Sequence, residues 1–323
     1  LAGTVAPAFG WLPAAGGAEP GLQAWRWLAD HPGVGHSVAL TLLTGWAATL
    51  LSLAITLGWA AFAHGRPAGR WVSRLLAPVL ATPHSALAIG LVFLIAPSGW
   101  VVRWVSPGLT GWDLPPDVAT VGHPSGWPLV LGLMLKEVPY LLLMTLGALH
   151  QVQATPQLAA ARAMGYGPVD AWVRVVLPQV WPQLRLPVAA VLAFSLSVVD
   201  VALVLGPGHP PTLSALAVRW FSDPDLSRAL PGAAAALTVL ALVAASLLLG
   251  RVAEGLVARL GRRWLEAGRR GGMAAAGMAV AGLAAPLLAA VSVLALLVLG
   301  LWSFARQWRY PQAWPSQWTT EHW

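Results

Sequence analysis

Six apolar stretches dominate the chain, at about Ser37–Ala63, Leu75–Ala96, Pro128–His150, Pro187–Leu205, Gly232–Gly250 and Met273–Trp302. A helix rises about 1.5 Å per residue and the hydrocarbon core of a bilayer is about 30 Å thick, so each is of a length to cross it. Inside lipid the backbone has no water to bond, and a helix satisfies its own N–H and C=O groups within one segment. The pattern predicts an all-α, polytopic membrane protein with six transmembrane helices. Composition agrees: with 57% apolar residues, 10% charged residues and a mean hydropathy of +0.68, the chain holds more apolar surface than one water-soluble core can hide.

The charges between the stretches orient them. The flank from His64 to Arg74 carries Arg66, Arg70 and Arg74 and no acid, and residues 251–270 hold Arg251, Arg259, Arg262, Arg263, Arg269 and Arg270 against Glu254 and Glu266. Both should be cytoplasmic, because loops that stay inside are enriched in Lys and Arg. Between them, residues 97–127 set Asp113 and Asp117 against Arg103, and residues 206–231 balance Arg219 and Arg228 with Asp223 and Asp225. These belong outside. The sense alternates at each crossing, so the formal net charge of +7 reflects loop bias. No basic run with interleaved aromatics points to nucleic acid. Pro78, Pro83 and His84 within the second stretch predict a broken or kinked helix.

One segment of the cytoplasmic side is different in kind. Residues 155–187, TPQLAAARAMGYGPVDAWVRVVLPQVWPQLRLP, are moderately polar and carry Arg162, Asp170, Arg174 and Arg185. Thr155-Pro156 reads as a helix start, Ala159 to Met164 favours helix, and Gly165 and Gly167-Pro168 should end it. A second short helix is expected from Val169 to Leu177, with Pro178, Pro182 and Pro187 breaking the chain beyond it.

This segment resembles the EAA loop of binding-protein-dependent ABC importer permeases, whose pattern is Glu-Ala-Ala, three residues, Gly, nine residues, Ile, one residue, Leu-Pro. Ala159-Ala160-Ala161 takes the triplet, Gly165 the glycine, Val175 the Ile, and Leu177-Pro178 the closing pair. Ala159 stands where the family has Glu, so a contact made by that carboxylate is absent here. The resemblance implies a MetI-like helical bundle in the bacterial inner membrane, with Ala159, Ala160, Ala161, Arg162, Gly165, Val175, Leu177 and Pro178 forming a coupling helix. It also implies two partners, a separate ATP-binding ABC subunit with a groove for that helix and a periplasmic solute-binding protein.

On that reading residues 1–35 are a periplasmic segment, 36–250 a permease lobe and 251–272 a cytoplasmic basic linker. Residues 273–323 would be the first helix of a second lobe with a truncated periplasmic segment. The tail after the sixth stretch resembles the front of the chain in its Trp, Arg and Pro layout, which suggests an internal repeat and a chain that is part of a fused, two-lobed permease. The layout is similar to thiamine-type ABC permeases, which makes thiamine or a related compound the implied solute.

Charges inside the stretches mark the candidate path. Lys136-Glu137 lies within the third and Asp200 within the fourth, where a lone charge costs about 2.5–3.5 kcal/mol on insertion scales. A Lys136–Asp200 or Lys136–Glu137 association facing the bundle interior is expected, the first favoured because adjacent helical residues diverge by about 100°. His84 is a further candidate for the solute path, and Pro139-Tyr140 is similar to a Pro-aromatic pair of the family. Trp100, Trp104, Trp127 and Trp302 read as interfacial anchors.

Chemistry on the chain itself finds little footing. The single lysine is not in a Gly-Lys-Ser/Thr context, so ATP is hydrolysed elsewhere; no Gly-x-Ser-x-Gly or His-Glu-x-x-His occurs. With no cysteine, disulfides and thiolate metal sites are excluded, and no cofactor or metal is expected. The competing reading is a membrane enzyme or ion-coupled secondary transporter that uses Lys136, Glu137 and Asp200 for proton chemistry in a wet cavity.

Overall fold

The computed structural model describes residues 2–15, 19–66, 74, 76–266, 276–321 and 323. Two short helices, α1 (Ala2–Ala8) and α2 (Gln23–Asp30), precede the first span, α3 (Val34–Ala63). The second span is in pieces: α4 (76–81), α5 (His84–Ile95) and α6 (Trp100–Val105). Then come α7 (Trp127–Val152), α8 (Ala154–Ala163), α9 (Pro168–Ala171), α10 (Leu177–Ser197), α11 (Asp200–Leu205), α12 (Leu213–Phe221), α13 (Ala229–Glu266) and α14 (Ala276–Ser303). A two-stranded antiparallel ribbon, β1 (Ala305–Gln307) and β2 (Gln317–Trp318), ends the chain. Among the described residues six helical segments are long and apolar enough to cross a membrane.

The second span breaks at Thr82-Pro83, as its prolines require, and its apolar helix α5 ends at Ile95, next to the expected Ala96; the separate short helix α6 follows after Gly99. The elbow departs from expectation. Pro178, Pro182 and Pro187 do not interrupt the chain: one helical segment runs from Pro168 to Ser197 through a π-helical turn at Trp172–Val176. Proline removes one N–H and crowds the carbonyl four residues back, and a wide turn directly before Pro178 is a local adjustment that lets a helix continue past it. The fourth span stops instead at Val198-Val199, so Asp200 begins a new helix rather than sitting inside the old one. The expected linker at 251–272 is helical as far as Glu266, a direct continuation of α13; residues 267–272, with Arg269 and Arg270, lie outside the described residues, as does Arg70.

Span α7 is the centre of the bundle, packed on α3, α10 and α11. The face that α3 offers is a buried stripe of small polar residues, Ser37, Thr41, Thr44, Thr49, Ser52 and Thr56, recurring every three to five positions. Small side chains let helices approach closely in lipid. Thr41, Thr44 and Thr49 return their hydroxyls to the carbonyls four residues earlier at 2.7, 2.7 and 2.9 Å, which removes the cost of burying them. Gly45 is required: a Cβ there would lie 2.6 Å from Leu196 Cδ2 of α10. Leu87 and Leu91 of α5, Leu129, Leu133 and Leu135 of α7, Leu205 of α11 and Val298 of α14 fill the main apolar core.

At the outer end the tail folds back over α5 and α6. Arg103 is buried, its Nε donating to the Ser98 carbonyl at 2.7 Å and its Nη1 to that of Gln312 at 3.2 Å, while Trp308 and Tyr310 lie 5.3 and 5.7 Å from the guanidinium. Trp302 stacks on Phe93 at 4.8 Å, and Trp100 donates to the Ala313 carbonyl. Of the four tryptophans expected as anchors, Trp104 and Trp127 remain exposed, whereas Trp100 and Trp302 are bonded into this cluster.

Candidate functional site

Two sites stand out, one within the bilayer and one on the basic side. The first is an open pocket of about 200 Å³ lined by His84, Lys136, Glu137, Tyr140, Ala190, Val191 and Phe194. It lies where the broken second span, α7 and α10 meet. His84 is the first residue after the break, and its ring centroid lies 4.7 Å from that of Phe194.

Three of the four candidate path residues are thus brought together, but not by the expected ion pair. Lys136 and Glu137 are 5% and 4% exposed, and each is satisfied by neutral dipoles on a different side of α7. The Lys136 ammonium donates to the carbonyls of Val79 and Leu80, both at 2.9 Å, and of Thr82 at 2.5 Å. Glu137 accepts from Ser52 of α3 at 3.0 Å and from Ser195 of α10 in a short bond. The divergence of about 100° between neighbours explains why they do not pair with each other. Asp200 does not join them: it is exposed at the start of α11 and does not line the pocket. Its place in the first turn suits its charge, which faces the positive end of that helix.

The partners Ser52 and Ser195 are not marked in the sequence. Lone hydroxyls on apolar helices carry little signal, although the regular polar stripe of α3 would have pointed to Ser52. Phe194 has no distinguishing pattern either.

The second site is the elbow. Helix α7 ends at Gln153, whose φ of 49° is left-handed, and α8 starts at once. Helix α8 closes with Gly165 at φ 88°, the Tyr166 N–H reaching the Ala161 carbonyl at 3.1 Å and the Gly165 N–H that of Arg162 at 2.9 Å. That pair of bonds is a Schellman cap, and its left-handed residue favours glycine. Leu158 and Ala161 face the protein, while Ala159, Ala160, Arg162, Met164 and Gly165 are exposed. Val175 and Leu177 are half-buried and Pro178 is exposed on the following segment.

Four sets of contacts brace the elbow. The His64 ring at the end of α3 is 3.1 Å from Thr155 Oγ1; burial, and next the Arg162 charge, lower its pKa below the ordinary histidine value. Gln157 and Gln179 exchange amide bonds between α8 and α10, the shorter 2.6 Å. Arg174, buried beside Asp170 at 3.7 Å, lies 3.6 Å from the Trp264 ring centroid and donates to the Trp264 carbonyl at 3.1 Å. Arg185 pairs with Glu254, which also accepts from Trp181 at 3.0 Å. The far end of α13 is therefore on the same side as Gly165, as the loop charges require. Arg174, Trp264 and Glu254 belong to this brace, and sequence spacing gives no sign that residues 70 to 90 positions apart would meet.

A six-span helical bundle with a cavity at a broken helix and an outward, braced elbow on its basic side defines a polytopic membrane protein of the permease type of architecture, and its class follows from the comparison with known families. Residues 51–266 match the family described as "Binding-protein-dependent transport system inner membrane component", and the chain belongs to that family. It is 31% identical over 228 residues to the inner membrane ABC transporter permease protein YnjC of Escherichia coli (strain K12), an overlap of 71% of this chain and 43% of that protein. The chain thus spans less than half the length of this relative. It is a multi-pass inner-membrane permease component of the ABC transporter class, which removes the reading of a membrane enzyme or ion-coupled transporter.

Proposed function

We propose that this chain is one lobe of an ATP-driven importer, which passes a small solute through the bundle while a separate ATP-binding subunit supplies the work at the elbow. The observation that carries this reading is the elbow itself: within the family match, Ala159, Ala160 and Arg162 are turned outward on a capped helix that α3 and α10 hold by side-chain bonds. A helix that is exposed on one face and braced on the other suits a groove on a partner. With Ala159 in place of the family's Glu, that contact is made by shape and by Arg162. Residues 36–250, continued by the helical part of the basic segment, form the lobe, and residues 273–323 open a second. A periplasmic solute-binding protein would deliver solute at the opposite, outer end.

The pocket at His84, Lys136 and Glu137 is the candidate path, with Asp200 outward of it at the start of α11. Phe194, Tyr140 and His84 supply rings, and Glu137 the one carboxylate on its lining. Rings beside a carboxylate fit a compact aromatic cation, the like charge of Lys136 on the same lining being taken up by three carbonyls, so thiamine or a related compound is the first solute to try.

The test is co-purification with the ATP-binding ABC subunit of the same organism, co-expressed with this chain. Ala160→Trp puts a large ring on an exposed position and should abolish recovery of that subunit while leaving the thermal melt of the permease unchanged. Recovery at the unmutated level would refute the docking assignment. Uptake of labelled thiamine into cells carrying the whole transporter checks the solute, and no uptake above that of cells lacking it removes thiamine.

A further inference from the structure

The break in the second span creates a problem that Lys136 solves. Pro83 has no N–H, so the carbonyl of Val79, four residues earlier, loses its helical partner. The chain at Pro83 is extended, with ψ 146°, which carries the His84 and Ala86 amides away from the Leu80 and Thr82 carbonyls. The last carbonyls of a helix are orphans in any case, and they form the negative end of its dipole. In lipid each would cost several kcal/mol unpaired. The structure accounts for four of them: Thr82 Oγ1 takes the Pro78 carbonyl at 3.0 Å, and the Lys136 ammonium takes those of Val79, Leu80 and Thr82, while Ala81 is exposed.

We infer that Lys136 is the positioning residue of the path, a clamp from α7 that holds the broken span open at Pro83 and so presents His84 to the pocket. An ammonium has three donors, and here all three are used on one helix end. The next residue, Glu137, ties α7 to α3 and α10 through Ser52 and Ser195. Two consecutive residues of one span therefore fix three neighbours, and a shift of α7 would move the break and the pocket wall together. The charge of Lys136 acts as a built-in counter-cation, so the broken helix needs no bound ion. This inference rests on the pocket being the solute path only for its purpose; the clamp itself is a statement about the break.

The experiment is hydrogen–deuterium exchange on the whole permease in lipid nanodiscs, following amides of residues 87–92, which start at the first amide of α5 with a carbonyl partner. In Lys136→Met they should exchange on the order of tenfold faster than in the unmutated protein, with peptides of α13 unchanged. Lys136→Arg, which keeps a charged donor, should restore much of the protection. If Lys136→Met does not fold, Lys136→Met with Pro83→Ala decides the matter: alanine returns an N–H to the Val79 carbonyl, so the double variant should fold and be protected. Unchanged exchange in Lys136→Met, or a double variant no better than the single one, overturns the clamp. A loosened break with normal ATP-driven uptake would support the clamp and take the pocket out of the path, so the two readings fail separately.

Discussion

The elbow and the intramembrane pocket each hold charged side chains, and they do so by opposite means. At the elbow charge meets charge: Arg174 lies beside Asp170 and Arg185 beside Glu254. In the span Lys136 and Glu137 are adjacent in sequence, yet one is met by three carbonyls and the other by two hydroxyls. Near water an ion pair is easy to solvate if it opens, so it can hold a part that must take force and give. In lipid an opened pair has nothing to turn to, and dipoles fixed to one helix end for Lys136 and to two helices for Glu137 hold each charge with less to lose from a small movement.

Four outcomes would break or sharpen that contrast. The largest concerns Arg174→Ala, which leaves Asp170 buried without its partner and removes the stack on Trp264; about 3 kcal/mol of local stability should go. Limited proteolysis at residues 164–168 should then cut far faster, and an unchanged cleavage rate would mean the elbow does not depend on that pair. Next, Glu137→Gln keeps the shape but weakens two hydroxyl bonds made to a charge, and should lower stability by about 1–2 kcal/mol, read as a lower melting temperature by intrinsic fluorescence. If Glu137→Gln instead raises the melting temperature, the carboxylate is a burden held for transport and not a packing device.

A smaller effect is expected from Gly165→Ala. At φ 88° a Cβ costs about 1 kcal/mol, which should show as weaker recovery of the ATP-binding subunit with the span melt intact. The smallest is a pH effect at His64. Its folded-state pKa lies below the unfolded value, so the neutral form is favoured by folding. The contribution is complete above the ordinary histidine value of 6.5 and is lost as pH falls below it toward the lowered value. Protection factors of α8 amides, taken relative to intrinsic exchange at each pH, should fall as pH is lowered from about 7.5 to 5.5, and His64→Gln should remove that dependence.

The spans were legible because a bilayer permits few alternatives to a long apolar helix, and loop arginines gave their direction. The break at Pro83 was legible for the same local reason, a missing N–H. The fate of Pro178, Pro182 and Pro187 was not, since whether a proline ends a helix depends on what repairs the ladder, and here a π-helical turn precedes them. The pairing of Lys136 was hidden because oppositely charged side chains draw attention, while backbone carbonyls freed 54 to 57 positions away leave no mark of their own in the sequence. The elbow's outward face followed the Ala-rich pattern, but its brace from Trp264 and Glu254 depended on how far α13 remains helical.

That length has a mechanical meaning. With 38 residues and no described interruption, α13 is a single rod about 57 Å long, seated among α1 and α12 at its outer end and tied to Arg174 and Arg185 at the other. A rod of that length tilted by about 10° about one end carries its far tip roughly 10 Å. Any rearrangement at the outer mouth would therefore arrive at the opposite side of the membrane magnified, as from a lever, without passing through the pocket at all.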